Sequence, residues 1–170
     1  NNTLNDAQDI TAALKDLNFE VTTVQNADKR EMKDAIHEFS KKLNKDTVGL
    51  FYYAGHAAQY QGQNYLIPIN GFRDIQDIRH LEDEAIRLGR ITGEMQASQS
   101  QLNFIFLDAC RNNPIPATTR GIQEGLVKSR DAKGTLIAFS TSPGKTALDG
   151  NERNSPYTKN LLKYINTPNQ

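Results

Sequence analysis

VGLFYYA at residues 48–54, running into Gly55 and His56, and LNFIFL at residues 102–107, running into Asp108, Ala109 and Cys110, decide how this chain folds. A strand with one wet face alternates apolar and polar residues. These runs are apolar almost throughout, which is the pattern of strands covered on both faces, as in parallel sheets. A third run of the same kind spans Thr135 to Ser140. Between and around them lie helical patterns. Ala7, Ile10, Ala13, Leu14 and Leu17 share one face of a helix over 5–17, with Asn5 as N-cap and Asn18 as stop. Asp28 is placed to cap a second helix whose stripe is Met32, Ala35, Ile36, Phe39 and Leu43. Further helices are expected over 88–97 and 156–164. Phe19 to Val24 reads as another strand, and Tyr65 to Ile69, after the turn residues Gln61 to Asn64, as a hairpin or returning segment. Helices alternating with buried strands predict an α/β three-layer sandwich: a mostly parallel central sheet with helices on both faces.

Composition narrows the function. At 170 residues the chain is one domain's worth. Twenty Lys and Arg balance twenty Asp and Glu, so no net field draws it to nucleic acid or to an anionic membrane. The apolar runs fall far short of the roughly 18 residues of a membrane span, and no signal-peptide pattern opens the sequence. A soluble, cytoplasmic protein is expected. The single cysteine excludes an internal disulfide and a Cys-rich zinc site. No glycine-rich loop follows an early strand, and the Lys145 segment lacks phosphate-loop spacing, which disfavours nucleotide binding.

In open parallel sheets reactive groups gather at the carboxyl ends of strands. Two such ends deliver His56 and Cys110. A thiol at its ordinary pKa is mostly protonated at neutral pH, so a nucleophilic cysteine needs a base beside it; His56 is placed to be that base and then to protonate the leaving amine. His37, on an amphipathic helix, and His80, in a charged linker, lack this context.

Tyr-Ala-Gly-His at 53–56 and, about fifty residues on, Asp-Ala-Cys-Arg at 108–111 resemble the paired catalytic blocks of the caspase, metacaspase and bacterial orthocaspase families. Supporting blocks in the same order are Leu4-Asn5-Asp6-Ala7, Tyr65-Leu66-Ile67-Pro68, 82–86 and 134–147. The resemblance implies a caspase-like cysteine endopeptidase with a Cys110–His56 dyad, a thioester intermediate, and an oxyanion hole from the backbone N–H groups of Cys110 and Ala57. Relatives carry Gly where this chain has Ala57, and Ala resists positive φ. They also begin with a central hydrophobic strand ahead of the Asn-Asp-Ala block, so a first core strand is expected upstream of Asn1. These two departures leave open an alternative, a weakly active or inactive caspase-like module that binds or regulates.

Caspases proper carry Gln two residues before the cysteine, whereas this chain has Asp108. The resemblance to metacaspases and orthocaspases implies that Asp108 and Asp6 line a pocket for a basic residue, Arg before Lys because a planar guanidinium matches a carboxylate. Ser140 and Ser142, in the strand and turn beside the substrate groove, are implied contacts for peptide or protein substrates with basic residues. Glu82 and Asp83 resemble a segment that holds Ca2+ in some metacaspases. The long polar stretch 112–134 is where relatives are cut into large and small subunits. Its Arg120, Lys128, Arg130 and Lys133 include autocleavage candidates, Lys128 and Arg130 foremost, with a subunit boundary near 120–134.

Overall fold

The computed structural model describes residues 2–75, 77–110, 134–140, 152–165 and 167, with Phe72, Ile78 and Cys110 entering through their backbone. Helix α1 (Asn2–Asp16) buries Asp6, Ile10, Ala13 and Leu14. It starts earlier than its pattern suggests, so Asn5 is no N-cap: it lies inside the helix and donates to the Arg153 carbonyl at 3.0 Å. Asn18 ends the turn that follows with φ of 62°, and the Phe19 N–H closes back on the Leu14 carbonyl at 3.0 Å. Helix α2 (Lys29–Lys42) opens with a reciprocal capping box between Asp28 and Glu31. Of its expected stripe, Ile36 is fully buried, while Met32, Phe39 and Leu43 pack on the core from its margin.

Strand β1 (Val48–Tyr60) runs well past Ala54, through Gly55 and His56, before turning at Gln61-Gly62 into β2 (Gln63–Ile67). A short helix α3 (Gly71–Asp74), a 3-10 turn (Ile78–His80) and α4 (Leu81–Glu84) lead to β3 (Ile86–Arg87) and helix α5 (Leu88–Ala97). Strands β4 (Leu102–Cys110) and β5 (Thr135–Phe139) and helix α6 (Pro156–Ile165) follow. The sheet order is β3-β2-β1-β4-β5. Among the described strands β1, β4 and β5 are mutually parallel, and β2 and β3 extend the sheet antiparallel, so the parallel expectation holds for the central trio and not for the hairpin side.

One face carries the main core. Phe51, Tyr53, Ala57, Ile105, Leu107, Ala109, Ile137 and Phe139 meet Ile36 of α2 and Leu88, Ile91 and Met95 of α5. The other face lies under α1 and α6, where Tyr52 and Asp108 bond to Thr158. Helices therefore cover both faces, as the continuous apolar runs required.

Phe19 to Val24 is not a strand; it is irregular, with Val24 exposed. A strand needs a neighbour to take its N–H and C=O groups, and none among the described residues pairs with it. Between it and β1 lies a cavity of about 670 Å3 walled by apolar side chains including Leu14, Phe19, Val21, Met32, Leu50 and Phe51. Among the described residues no strand occupies the corresponding edge of β1 over 48–55, because β4 pairs on the opposite edge and β2 begins only at His56.

Candidate active site

β1 and β4 run parallel through nine consecutive Cα pairs, from Val48–Leu102 to His56–Cys110. The two residues singled out by chemistry are therefore direct partners in the register, at the carboxyl end of the parallel ladder. His56 is also the partner of Ile67, so it sits where β1 gains its second neighbour. Its ring is exposed.

The backbone at this point is braced by Tyr53. Its hydroxyl lies 2.7 Å from the His56 carbonyl oxygen and 3.0 Å from that of Ile67, a hydrogen shared between the two strands. To reach them the ring crosses Gly55, where a Cβ would stand 2.5 Å from the Tyr53 hydroxyl oxygen and 2.7 Å from Cζ. Glycine is needed here for space.

Ala57 lies inside β1 as the partner of Leu66, with its side chain in the main core. Its φ is not positive; among the described residues other than glycine that conformation belongs to Asn18, Asn26, Gln61 and Gln99. The expected strain of Ala at this position is absent, because the chain continues as regular strand instead of turning left-handed.

Two pairs below His56–Cys110, with Gly55–Ala109 between them, is Ala54–Asp108. Residues two apart on a strand share a face, which places Asp108 on the face under α1 and α6. There it meets Asp6. Asp6 is 1% exposed and Asp108 8%. The link between them is Ser155: its N–H donates to Asp6 Oδ1 at 3.1 Å, its hydroxyl donates to Asp108 Oδ2, and Thr158 Oγ1 donates to the same Oδ2 at 2.7 Å. Burial pushes the Asp6 carboxyl up, partly offset by hydrogen bonds from Asn154 and Ser155, with the negative charge of Asp108 pushing the same way as burial. Burial likewise pushes the Tyr52 hydroxyl far up and that of Tyr157 up to about 12, so both remain protonated.

Ser140 directly follows β5, and its N–H bonds to the Leu107 carbonyl at 2.9 Å. The last β4–β5 pair is Leu107–Phe139, so Ser140 stands next to Asp108. Its buried Oγ has no partner among the described residues. A buried hydroxyl left unpaired is costly and fits a group waiting for a ligand.

Glu82 and Asp83 lie on exposed positions of α4, with Glu82 accepting from the Tyr65 hydroxyl at 3.3 Å and Lys29 facing Glu84 and Asp83. Among the described residues no three His, Cys, Asp or Glu side chains converge as a metal site, and a calcium ion needs six or more oxygens. Exposed His37 and His80 stand on α2 and at the start of α4, apart from the β1–β4 pair. Ser142, Lys128 and Arg130, with Arg120 and Lys133, lie outside the described residues.

Sequence reasoning missed Ser155. Its signal was there: Ser before Pro at the first helical position is an N-cap pattern, and Ser155 Oγ does accept the Thr158 N–H at 3.0 Å. What the pattern does not say is that the same residue also serves two distant carboxylates, Asp108 through its hydroxyl and Asp6 through its N–H.

The chain is similar to known proteins over most of its length. Over 144 residues, 85% of this chain, it is 30% identical to mucosa-associated lymphoid tissue lymphoma translocation protein 1 of Homo sapiens, and equally to the homolog from Mus musculus. It is 29% identical over 136 residues, 73% of the chain, to a protein described as a probable protease from a Desulfuromonadales bacterium. The chain spans 16% of the length of each of these relatives. The sequence profile of the peptidase family described as the caspase domain matches residues 1–170, and with it the β1–β4 arrangement acquires its family: this chain belongs to the caspase domain family of peptidases.

Proposed function

We propose that this chain is a cysteine endopeptidase that cleaves after basic residues, Arg before Lys, with Cys110 as nucleophile and His56 as acid and base. The observation that carries the reading is the register: His56 pairs with Cys110, and Asp108, two residues earlier on β4, lies on the sheet face where it meets Asp6. In this scheme His56 takes the Cys110 proton, and the thiolate attacks the substrate carbonyl. The oxyanion is met by backbone N–H groups of Cys110 and Ala57. His56 protonates the departing amine to leave a thioester, which water then hydrolyses. Asp6 and Asp108 receive the guanidinium of the residue before the cleaved bond, and the unpaired Ser140 hydroxyl, with Ser142, contacts the same peptide. Ala57 in regular strand removes one ground for reading the chain as an inactive module.

Fluorogenic peptides ending in Arg, Lys or Asp test this reading. Cleavage should follow the order Arg, Lys, then Asp, and Cys110→Ala should abolish it. Asp108→Asn should lower kcat/KM on the Arg peptide by about ten- to a hundredfold, the equivalent of roughly 1.5–3 kcal/mol for a charged hydrogen bond. Equal cleavage of the Asp peptide, or turnover that survives in Cys110→Ala, would reject it.

The domain organisation is part of the proposal. The edge of β1 over 48–55, which no described strand pairs with, and the apolar cavity beside it favour one more strand, lying between β1 and residues 19–27 and completing a single domain. An apolar strand of about eight residues spans some 26 Å, the length of that edge. A version of the chain carrying such a strand ahead of residue 1 should melt higher than residues 1–170 alone and protect the amides of 48–55 from hydrogen exchange. Unchanged exchange there would refute the placement.

A further inference from the structure

Asp6 and Asp108 come from α1 and β4, and one residue touches both. Its hydroxyl and that of Thr158 converge on a single oxygen of Asp108, Oδ2. A carboxylate can only accept, so the one hydrogen of each hydroxyl is committed to it. Ser155 Oγ in turn accepts from the Thr158 N–H at 3.0 Å, and Thr158 Oγ1, 2.6 Å from the Tyr52 hydroxyl, has only a lone pair left to offer; Tyr52 is therefore the donor in that contact. Every hydrogen in this chain of hydroxyls points toward Asp108. Thr158 is fully buried and Ser155 7% exposed, so water is not a ready substitute for either donor.

Two donors on Oδ2 fix both the position and the plane of the Asp108 carboxylate, and they leave Oδ1 with no donor among the described residues. The plane matters differently to the two basic side chains. A guanidinium presents its N–H groups in a rigid fork and needs a carboxylate at a set angle, whereas an ammonium is a compact charge that accepts many angles.

We propose that Ser155, backed by Thr158, is the positioning residue of the basic-residue pocket, holding Asp6 and Asp108 in the fixed relation that favours a guanidinium over an ammonium. This rests on the pocket assigned above. Neither residue meets the substrate; both act through the carboxylates.

The test is steady-state kinetics of the full chain on matched Arg and Lys peptides, for wild type, Ser155→Ala, Ser155→Thr and Thr158→Val, with melting temperatures alongside. Ser155→Ala should raise KM for the Arg peptide about tenfold, the scale of one charge-assisted hydrogen bond, while KM for the Lys peptide moves less than about threefold and kcat changes little. Ser155→Thr keeps the hydroxyl and should restore the Arg preference. Thr158→Val, close in shape, should shift the Arg-to-Lys ratio in the same direction by a smaller factor, and it carries the test if Ser155→Ala does not fold. A fall in kcat for both peptides with an unchanged KM ratio would show a purely structural role and overturn the proposal. Wild type that cleaves neither peptide, or shows no preference for basic residues, would instead remove the pocket reading and this inference with it.

Discussion

Gly55 and Tyr53 show how a single residue sets the site. The Tyr53 ring passes over Gly55 to hold the carbonyls of His56 and Ile67, and a Cβ at 55 would push it away. Gly55→Ala should therefore lower activity several-fold more than it lowers melting temperature would suggest, with faster hydrogen exchange at His56, both measurable on purified protein. Asp6 carries opposite demands. Burial raises its pKa above the ordinary 3.8, so the folded state favours the protonated form: its contribution to stability is present below the unfolded value and is lost as pH rises through the raised folded one. Binding of a cation runs the other way, since it needs the ionised form. Asp6→Asn should thus raise the melting temperature at neutral pH while weakening Arg-peptide binding. In wild type, KM for that peptide should climb as pH falls toward the raised Asp6 value. A melting temperature lowered by Asp6→Asn would contradict this account. His56, Cys110, Asp108 and Asp6 were all legible as candidates, because strand ends and the family resemblance mark them. Ser155 was not, because its contacts exist only when positions 6, 108 and 155 meet in space.

At the scale of elements, the local signals that proved sufficient were those closed within a few residues: the Asp28–Glu31 capping box, the turn at Gln61-Gly62, and the periodic helix over 88–97. Where a strand depends on a neighbour, the sequence alone misled. Phe19 to Val24 has strand-like residues and no partner among the described ones, while β1 extends beyond its apolar run because β2 folds back to pair with 56–60. The tie between α1 and the segment leading into α6 was also invisible, being made by Arg153 in a two-pronged bond to Asp9 at 2.8 and 2.9 Å and by Asn154 to the same Asp9 at 2.9 Å. This ion pair holds the Asp9 carboxyl below its usual range, so its stabilisation is present above the unfolded value and fades as pH falls through the folded one. Arg153→Ala should loosen the N-terminal end of α6 and with it Ser155. The loss of Arg preference on that variant, recovered neither by salt nor by cooling, would be read in the same Arg-to-Lys KM ratio; an unaltered ratio would show that Ser155 is held without the ion pair.

For the molecule as a whole, charge is balanced and no described helix is long and apolar enough to cross a membrane, while the sheet face under α1 and α6 carries the buried carboxylates Asp6 and Asp108. Under the proposed preference for basic residues, the polar stretch 112–134 offers cleavage sites within the chain itself. We expect slow self-cleavage after Lys128 or Arg130, seen by mass spectrometry as fragments that form in wild type and not in Cys110→Ala; an intact wild-type chain that still cleaves Arg peptides would confine the chemistry to other substrates. The α/β class and both central strands followed from the apolar runs, because burial on two faces leaves no alternative pattern. The antiparallel β2 was legible as a hairpin from the turn residues after Tyr60, whereas β3, two residues long, carries no strand pattern of its own and depends on pairing with β2. The most direct test of the central claim is covalent capture: the chain is incubated with an arginyl and an aspartyl chloromethyl ketone peptide of equal length, and the labelled residue is located by mass. The account predicts a single adduct on Cys110, formed far faster with the arginyl reagent and slowed by His56→Ala and by Asp108→Asn. An unlabelled Cys110, or one that reacts equally with both reagents and regardless of His56, would contradict it.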